Sequence, residues 1–158
     1  MLKQMVTYVF VLYGLSAATV SLADEIGPRQ DSHGVSYVNG GIGSEEVEAL
    51  QAYRKQFNLY FIFSEGKIGR VIDSVDLSIR NAQNQEVFQL NNAAPRLLLS
   101  LPAGKYQAVA SYQGHQQRYV FEHAIGKQQR IILNWKHSEA TEEFTERADP
   151  GSDLTTPE

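Results

Sequence analysis

The sequence predicts a mainly β protein: a seven-strand antiparallel β-sandwich with one short N-terminal α-helix. Three observations lead there. From Leu59 onward, apolar residues recur at every second position in short runs, the period of half-buried strands. Gly-, Pro- and Asn-containing turn signals separate these runs at short intervals. Only the stretch before them, Ser44 to Phe57, carries a helical period, with Val47, Leu50, Tyr53 and Phe57 spaced by three and four.

The chain has 158 residues and a formal net charge of −4, the size of one domain. Twenty uncharged residues lie between Lys3 and Asp24 and end in Ser21-Leu22-Ala23, whose small first and third residues suit signal peptidase. Residues 1–23 are therefore expected to be a secretory signal peptide, with an uncleaved anchor as the competing reading. Cleavage would leave a periplasmic or secreted protein without stable membrane insertion. Both methionines, Met1 and Met5, would leave with the signal, and the chain has no cysteine. That excludes disulfides, thiolate metal sites and cysteine nucleophiles.

Residues 24–43 are polar at first and then glycine-rich, through Asn39-Gly40-Gly41-Ile42-Gly43, and read as a flexible lead-in. In the helix over 44–57, Ser44 is the expected N-cap, and Glu45, Glu46 and Glu48 in the first turn complement the positive end of the dipole. The sandwich spans 58–135. Its seven strands are placed around Leu59–Phe63, Val75–Ile79, Val87–Leu90, Leu97–Leu101, Tyr106–Tyr112, Tyr119–Phe121 and Ile131–Trp135. Glu65-Gly66-Lys67, Asn81 to Asn84, Pro102-Ala103-Gly104, Gln113-Gly114 and Gly126-Lys127 supply turns.

With no helical pattern among the seven, parallel crossovers lack a connector and the pairing is expected to be largely antiparallel. The expected core is Leu59, Phe61, Phe63, Val75, Leu77, Ile79, Leu97, Leu99, Leu101, Tyr106, Ala108, Ala110, Ile131, Leu133 and Trp135, with the helix covering one end or edge. Residues 136–158 carry seven acids against Lys136 and Arg147 and are expected to be an acidic disordered tail. The body from Asp24 to Trp135 then holds eleven acids and eleven bases, so nothing favours nucleic acid as a partner.

The stretch Leu101-Pro102-Ala103-Gly104-Lys105-Tyr106, followed by Ala110 and closed by Gly114, resembles the Leu-Pro-x-Gly-x-Tyr-x-x-x-Ala pattern of carboxypeptidase regulatory-like domains. Those are transthyretin-like seven-strand sandwiches. Asp73 to Ile79 looks like that family's second strand, so the similarity covers Leu59 to Trp135. Gly40-Gly41-Ile42-Gly43 with Glu46 is similar to a segment ahead of this domain in small exported bacterial proteins of unknown activity. The resemblance implies an accessory binding module rather than an enzyme.

Chemical motifs are sparse. Strand, Gly41-Ile42-Gly43, helix and strand follow the order of a dinucleotide-binding unit, but Glu46 replaces the third glycine and puts negative charge where a pyrophosphate would sit. His115 and His123 lie eight residues apart on one predicted strand, about 26 Å at strand rise, too far to share a metal. The four histidines are expected at the surface. There is no Gly-x-Ser-x-Gly elbow, and the chain ends Leu154-Thr155-Thr156-Pro157-Glu158, unlike the Tyr-Arg-Gly-Ser ending of the hydrolase that uses the transthyretin fold.

No cofactor or metal is therefore expected. The expected function is a non-catalytic exported binding module of the cell envelope, with a protein or glycan ligand. The alternative is a structural accessory or chaperone-like partner that pairs strand edges, and an unrecognised periplasmic hydrolase ranks behind both. Candidate binding residues are Tyr37, Asn39, Gly40, Gly41, Gly43 and Glu46. Outward positions also include Tyr60, Tyr112, Gln113, His115, Gln116, Gln117 and Arg118, and exposed coplanar tyrosines would favour glycan stacking.

Overall fold

A computed structural model describes residues 26–136. The expected signal peptide, and the acidic tail beyond Lys136, lie outside the described residues. The described chain forms β1 (Arg29–Gln30), β2 (Ser36–Gly40), α1 (Ser44–Tyr53), a 3-10 turn (Arg54–Gln56), β3 (Leu59–Glu65), β4 (Arg70–Val71) and β5 (Val75–Asn81). It continues through β6 (Glu86–Ala93), β7 (Arg96–Leu99), β8 (Gly104–Tyr112), β9 (His115–His123) and β10 (Gln129–Trp135). The seven expected strands are all present, as β3 and β5 to β10. The count of seven is corrected to ten by the short β1, β2 and β4.

Two sheets form the sandwich. One has the order β1-β2-β7-β3-β10, with β4 paired to β3, and the other the order β6-β5-β8-β9. Between them lies a core that contains all fifteen expected residues and adds Tyr37, Ile72, Phe88, Ala93 and Phe121. Rings meet both across the layer and within the second sheet. Phe121 packs edge-on to Phe61 at 6.0 Å between centroids and stacks with Tyr106 at 5.6 Å, and Tyr37 meets Phe88 edge-on at 5.7 Å.

Pairing is antiparallel throughout except between β3 and β10, which run parallel over their whole length, from Leu59 opposite Gln129 to Glu65 opposite Trp135. The expectation that parallel crossovers lack a connector fails here because no helix is needed. A parallel pair requires only a connection of a dozen or more residues, and the entire second sheet supplies it. A second consequence concerns α1. Both β2 and β3 are antiparallel to β7 and so parallel to each other, and α1 joins them across the intervening strand.

The lead-in is not a loose segment over its described part. Asp31 fixes it: its carboxylate accepts the N–H groups of Val35 at 2.8 Å, His33 at 3.0 Å and Gln89 at 3.0 Å, the last on edge strand β6. The His33 ring Nδ1 lies 3.0 Å away as a fourth donor. The helix also departs from expectation. Rather than capping an end or edge, it lies on the outer face of the first sheet, where Leu50 and Phe57 pack on Val38 of β2 and Leu98 of β7. Ser44 is the first helical residue, and Gly43 occupies the N-cap without a side-chain cap bond.

Tyr106, at the start of β8, turns its ring into the core and donates its hydroxyl to the Pro102 carbonyl at 2.8 Å. This bond ties the Pro102-Ala103-Gly104 turn to the strand it begins, and burial pushes the phenol above its usual pKa. Tyr106→Phe keeps the ring and strands the carbonyl, so it should cost about 1 kcal/mol. Tyr106→Ala should cost about 3–5 kcal/mol. Urea denaturation of the two variants checks the order.

For Asp31, burial acts to raise the carboxyl pKa, but the backbone donors of Val35, Gln89 and His33 and the His33 side chain together hold it below the usual carboxylate value. A group depressed in the folded state stabilises fully above its unfolded pKa of about 4, and that stabilisation is lost as pH falls through the lower folded value. Asp31→Asn should therefore destabilise by about 1–3 kcal/mol at pH 7. The gap from the parent chain should narrow at pH 3, as read by denaturant melts at the two pH values.

Candidate functional site

The residues singled out from sequence separate into three places. Tyr37 is a core residue, contrary to its expected outward position, because β2 joins the sheet with Tyr37 on the inner face opposite Phe88. Asn39 is spent on the fold: its Oδ1 accepts the Ala94 N–H at 2.8 Å, and its Nδ2 donates to the carbonyls of Ala94 and Arg96 at 3.1 and 2.8 Å. These bonds hold the entry into β7 against β2.

Gly40, Gly41 and Glu46 do come together. One Glu46 oxygen accepts both the Gly41 N–H at 2.8 Å and the Ile42 N–H at 3.0 Å, while Arg96 donates to the Gly41 carbonyl at 2.8 Å. Gly41 has φ +92°, and a Cβ there would stand 2.9 Å from Arg96 Cδ. The strand, glycine loop, helix and strand order seen in the sequence is thus a genuine parallel unit. The donors that would cradle a phosphate instead hold a carboxylate of the helix itself, which closes the knot. Gly43 lies apart at the exposed start of the helix, with nothing within 4 Å of an added Cβ.

The tyrosines offer no flat platform. Tyr60 lies under the Arg54 guanidinium at 4.0 Å and beside the helix cluster, and Tyr112 packs edge-on to Trp135 at 5.8 Å. Both are half-buried. Tyr119 keeps 41% exposure but stacks on Phe121 at 6.2 Å between centroids. His123, expected at the surface, is buried as the last residue of β9, with no partner for Nδ1. Among the described residues, no group of three or more His, Asp or Glu is placed to hold a metal ion. No helix there is long and apolar enough to cross a membrane.

What remains is the outer face of the β6-β5-β8-β9 sheet. Strand alternation puts Asp76, Ser78 and Arg80 of β5 on this face with Gln107, Val109 and Ser111 of β8 and Gln116 and Arg118 of β9. All of these but Asp76 and Ser111 line an open cleft of about 510 Å³ bounded by Asn84 and Glu86. A shallower extension of about 160 Å³ runs along Asp76, Gln89, Asn91 and Ser111 and shares Ser78, Val109 and Gln116 with it. Two register shifts against β5 each leave β6 with an extra residue, which bends this edge strand along the cleft.

A polar chain orders one wall. Ser78 Oγ donates to Glu86 Oε2 at 2.6 Å, and Glu86 Oε1 lies 3.8 Å from Nε2 of His33, whose other ring nitrogen meets Asp31. The sequence is hydroxyl, carboxylate, imidazole, carboxylate. The imidazole stands behind the carboxylate rather than beside the hydroxyl, so Ser78 has no imidazole base. Gln116 and Arg118 are among the outward residues that the sequence singles out, whereas Ser78, Arg80, Glu86 and Gln107 are not. Polar residues alternating along a strand mark only a face turned from the core, and which of two outer faces stays open is set by where the helix packs.

Compared with known proteins, the chain matches no protein-family model and no curated relative.

If the glycine knot is structural, its members should respond to mutation as backbone positions. Gly41→Ala should destabilise by about 1–2 kcal/mol, since an L side chain is strained at that φ. Gly43→Ser should be neutral or stabilise by about 0.3 kcal/mol through N-capping. Thermal melts of the two variants test the contrast.

Proposed function

We propose that the protein is a non-catalytic, exported binding module of the cell envelope, with a transthyretin-like sandwich of the carboxypeptidase regulatory-like kind, and that it holds its ligand on the outer face of the β6-β5-β8-β9 sheet. One observation carries this reading: α1 covers the outer face of the first sheet at β2 and β7, whereas the second carries a cleft of about 510 Å³ lined mainly by polar side chains. Export is inferred from the uncharged stretch between Lys3 and Asp24 with its small-residue ending. The sandwich and the Pro102 to Tyr106 turn support the resemblance to that family.

The strand-edge alternative draws less support. On one side Asp31 takes the Gln89 N–H of edge strand β6. On the other, the indole of Trp135 donates to the His115 carbonyl at 2.8 Å and Gln117 donates to the Asn134 carbonyl at 2.8 Å, tying β9 to β10 across the sheets. The Gln89 N–H and the His115 and Asn134 carbonyls are thereby engaged by the protein's own side chains. A hydrolase reading lacks an imidazole beside Ser78, whose hydroxyl bonds the Glu86 carboxylate instead.

The test places a bulky residue in the cleft. Gln107→Trp, on the outer face of a central strand, should leave the melting temperature within a few degrees of the parent. It should abolish recovery of the material that crosslinks to the parent chain in the native envelope. Tyr119→Ala, on the other side of the sheet, should not. Unchanged recovery with Gln107→Trp would overturn the assignment of the cleft.

A further inference from the structure

The chemistry of the cleft goes further than its location. Arg80 makes one long bond to Asn84 Oδ1 at 3.4 Å, and Arg118 one to Gln116 Oε1 at 3.5 Å. Among the described residues neither guanidinium has a carboxylate within ion-pair distance. The nearest candidate by register, Glu86, is engaged by Ser78 and faces His33. Arg80 pairs with Gln107, and Arg118 with Val109, on opposite sides of β8. Ladder geometry puts their Cα atoms about 12 Å apart. Two planar cations whose strong donors have no acidic partner therefore face one concave surface, with the Gln107 amide between them.

The remaining lining holds two carboxylates already bonded within the protein, Glu86 to Ser78 Oγ and Asp76 to the Asn92 N–H, the apolar Val109 and Leu77, and a majority of groups that both donate and accept, Ser78, Asn84, Gln107, Ser111 and Gln116 among them. Such groups match hydroxyls, which also do both, and guanidinium matches a planar carboxylate in a two-bond fork. A protein partner would need a large aromatic or aliphatic anchor at the centre of the face, and the apolar side chains there are two small valines, the half-buried Val109 and, on edge strand β9, Val120. A peptide laid across the centre of the face has no backbone to pair with, because β5 and β8 are interior strands with a neighbour on each side. A nucleic-acid strand would call for stacking rings, and none lines the cleft.

We propose that the cleft binds a carboxylate-bearing saccharide, with Arg80 and Arg118 holding the acid groups and the amides and hydroxyls holding the sugar hydroxyls. This rests on the cleft being the binding face.

The probe is an oligogalacturonide titrated calorimetrically into the full chain, expressed from Met1 and purified as it accumulates. A neutral malto-oligosaccharide, a sulfated dextran fragment and a poly-glutamate peptide are run in parallel. The oligogalacturonide should bind and weaken as salt rises from 20 to 200 mM. Arg80→Gln and Arg118→Gln should each lower its affinity about tenfold or more, the loss of a charge-assisted hydrogen bond, with Arg80→Lys intermediate. All three variants should melt near the parent temperature.

Equal binding of the neutral sugar, or uronide binding indifferent to both arginine substitutions, would overturn the proposal. Equal or tighter binding of sulfated dextran would reduce the site to unspecific charge, and of poly-glutamate would make its ligand an acidic peptide; either overturns it. If the uronide fails while Gln107→Trp still abolishes recovery of envelope material, the saccharide inference falls and the binding face stands. If Gln107→Trp has no effect either, both fall.

Discussion

Strand β7 is the constraint on which the architecture turns. Leu97, Leu98 and Leu99 are all buried, with the first and third facing the sandwich core and the middle one facing outward. A strand apolar on both faces has to be covered on both. The second sheet covers one side, and α1 covers the other through Leu50 and Phe57 on Leu98 and Val38. Placing β7 between β2 and β3 also makes those two strands parallel, so the segment from residue 41 to 58 must cross over the outer face it covers.

The glycine-rich loop makes sense within that crossover. The chain leaves β2 at Gly40, turns against Arg96 of β7 and enters the helix at once, and the turn needs both the positive φ of Gly41 and an acceptor for the N–H groups of Gly41 and Ile42. Glu46, in the first turn of the helix, supplies the acceptor, and Arg96 supplies a donor for the Gly41 carbonyl. A pattern that reads as a candidate binding loop is a structural joint. Its polar groups are consumed internally, which leaves the second sheet to carry an open polar surface.

Covering β2 and β7 of the first sheet with the helix gives the two sheets unlike outer faces. The uncovered face has a bent edge strand, a hydrogen-bonded serine and glutamate on one wall, and two guanidiniums without acidic partners. Asp31 and His33 reach from the lead-in to the same wall, so the segment expected to be flexible instead braces the edge of the cleft. Fold and candidate site are thus coupled through a few side chains that cross between the sheets.

Strand positions, the helix and the core were legible in the sequence because each depends on local periodicity: Leu59, Phe61 and Phe63 alternate whatever they pair with, and turns such as Gln113-Gly114 announce themselves in backbone preference, both residues having positive φ. The burial of Tyr37 and His123, the parallel pairing of β3 with β10, and the choice of which sheet the helix covers were not legible. They depend on partners 20 or more residues away, and alternation assigns residues to two faces without saying what each face meets. The sequence by itself determined a mainly β chain with one short helix and the membership of most of its core. Only the tertiary structure decided that Glu46 closes the glycine loop and that Arg80, Gln107 and Arg118, far apart along the chain, share one open face, because strand order and sheet packing are set by long-range burial.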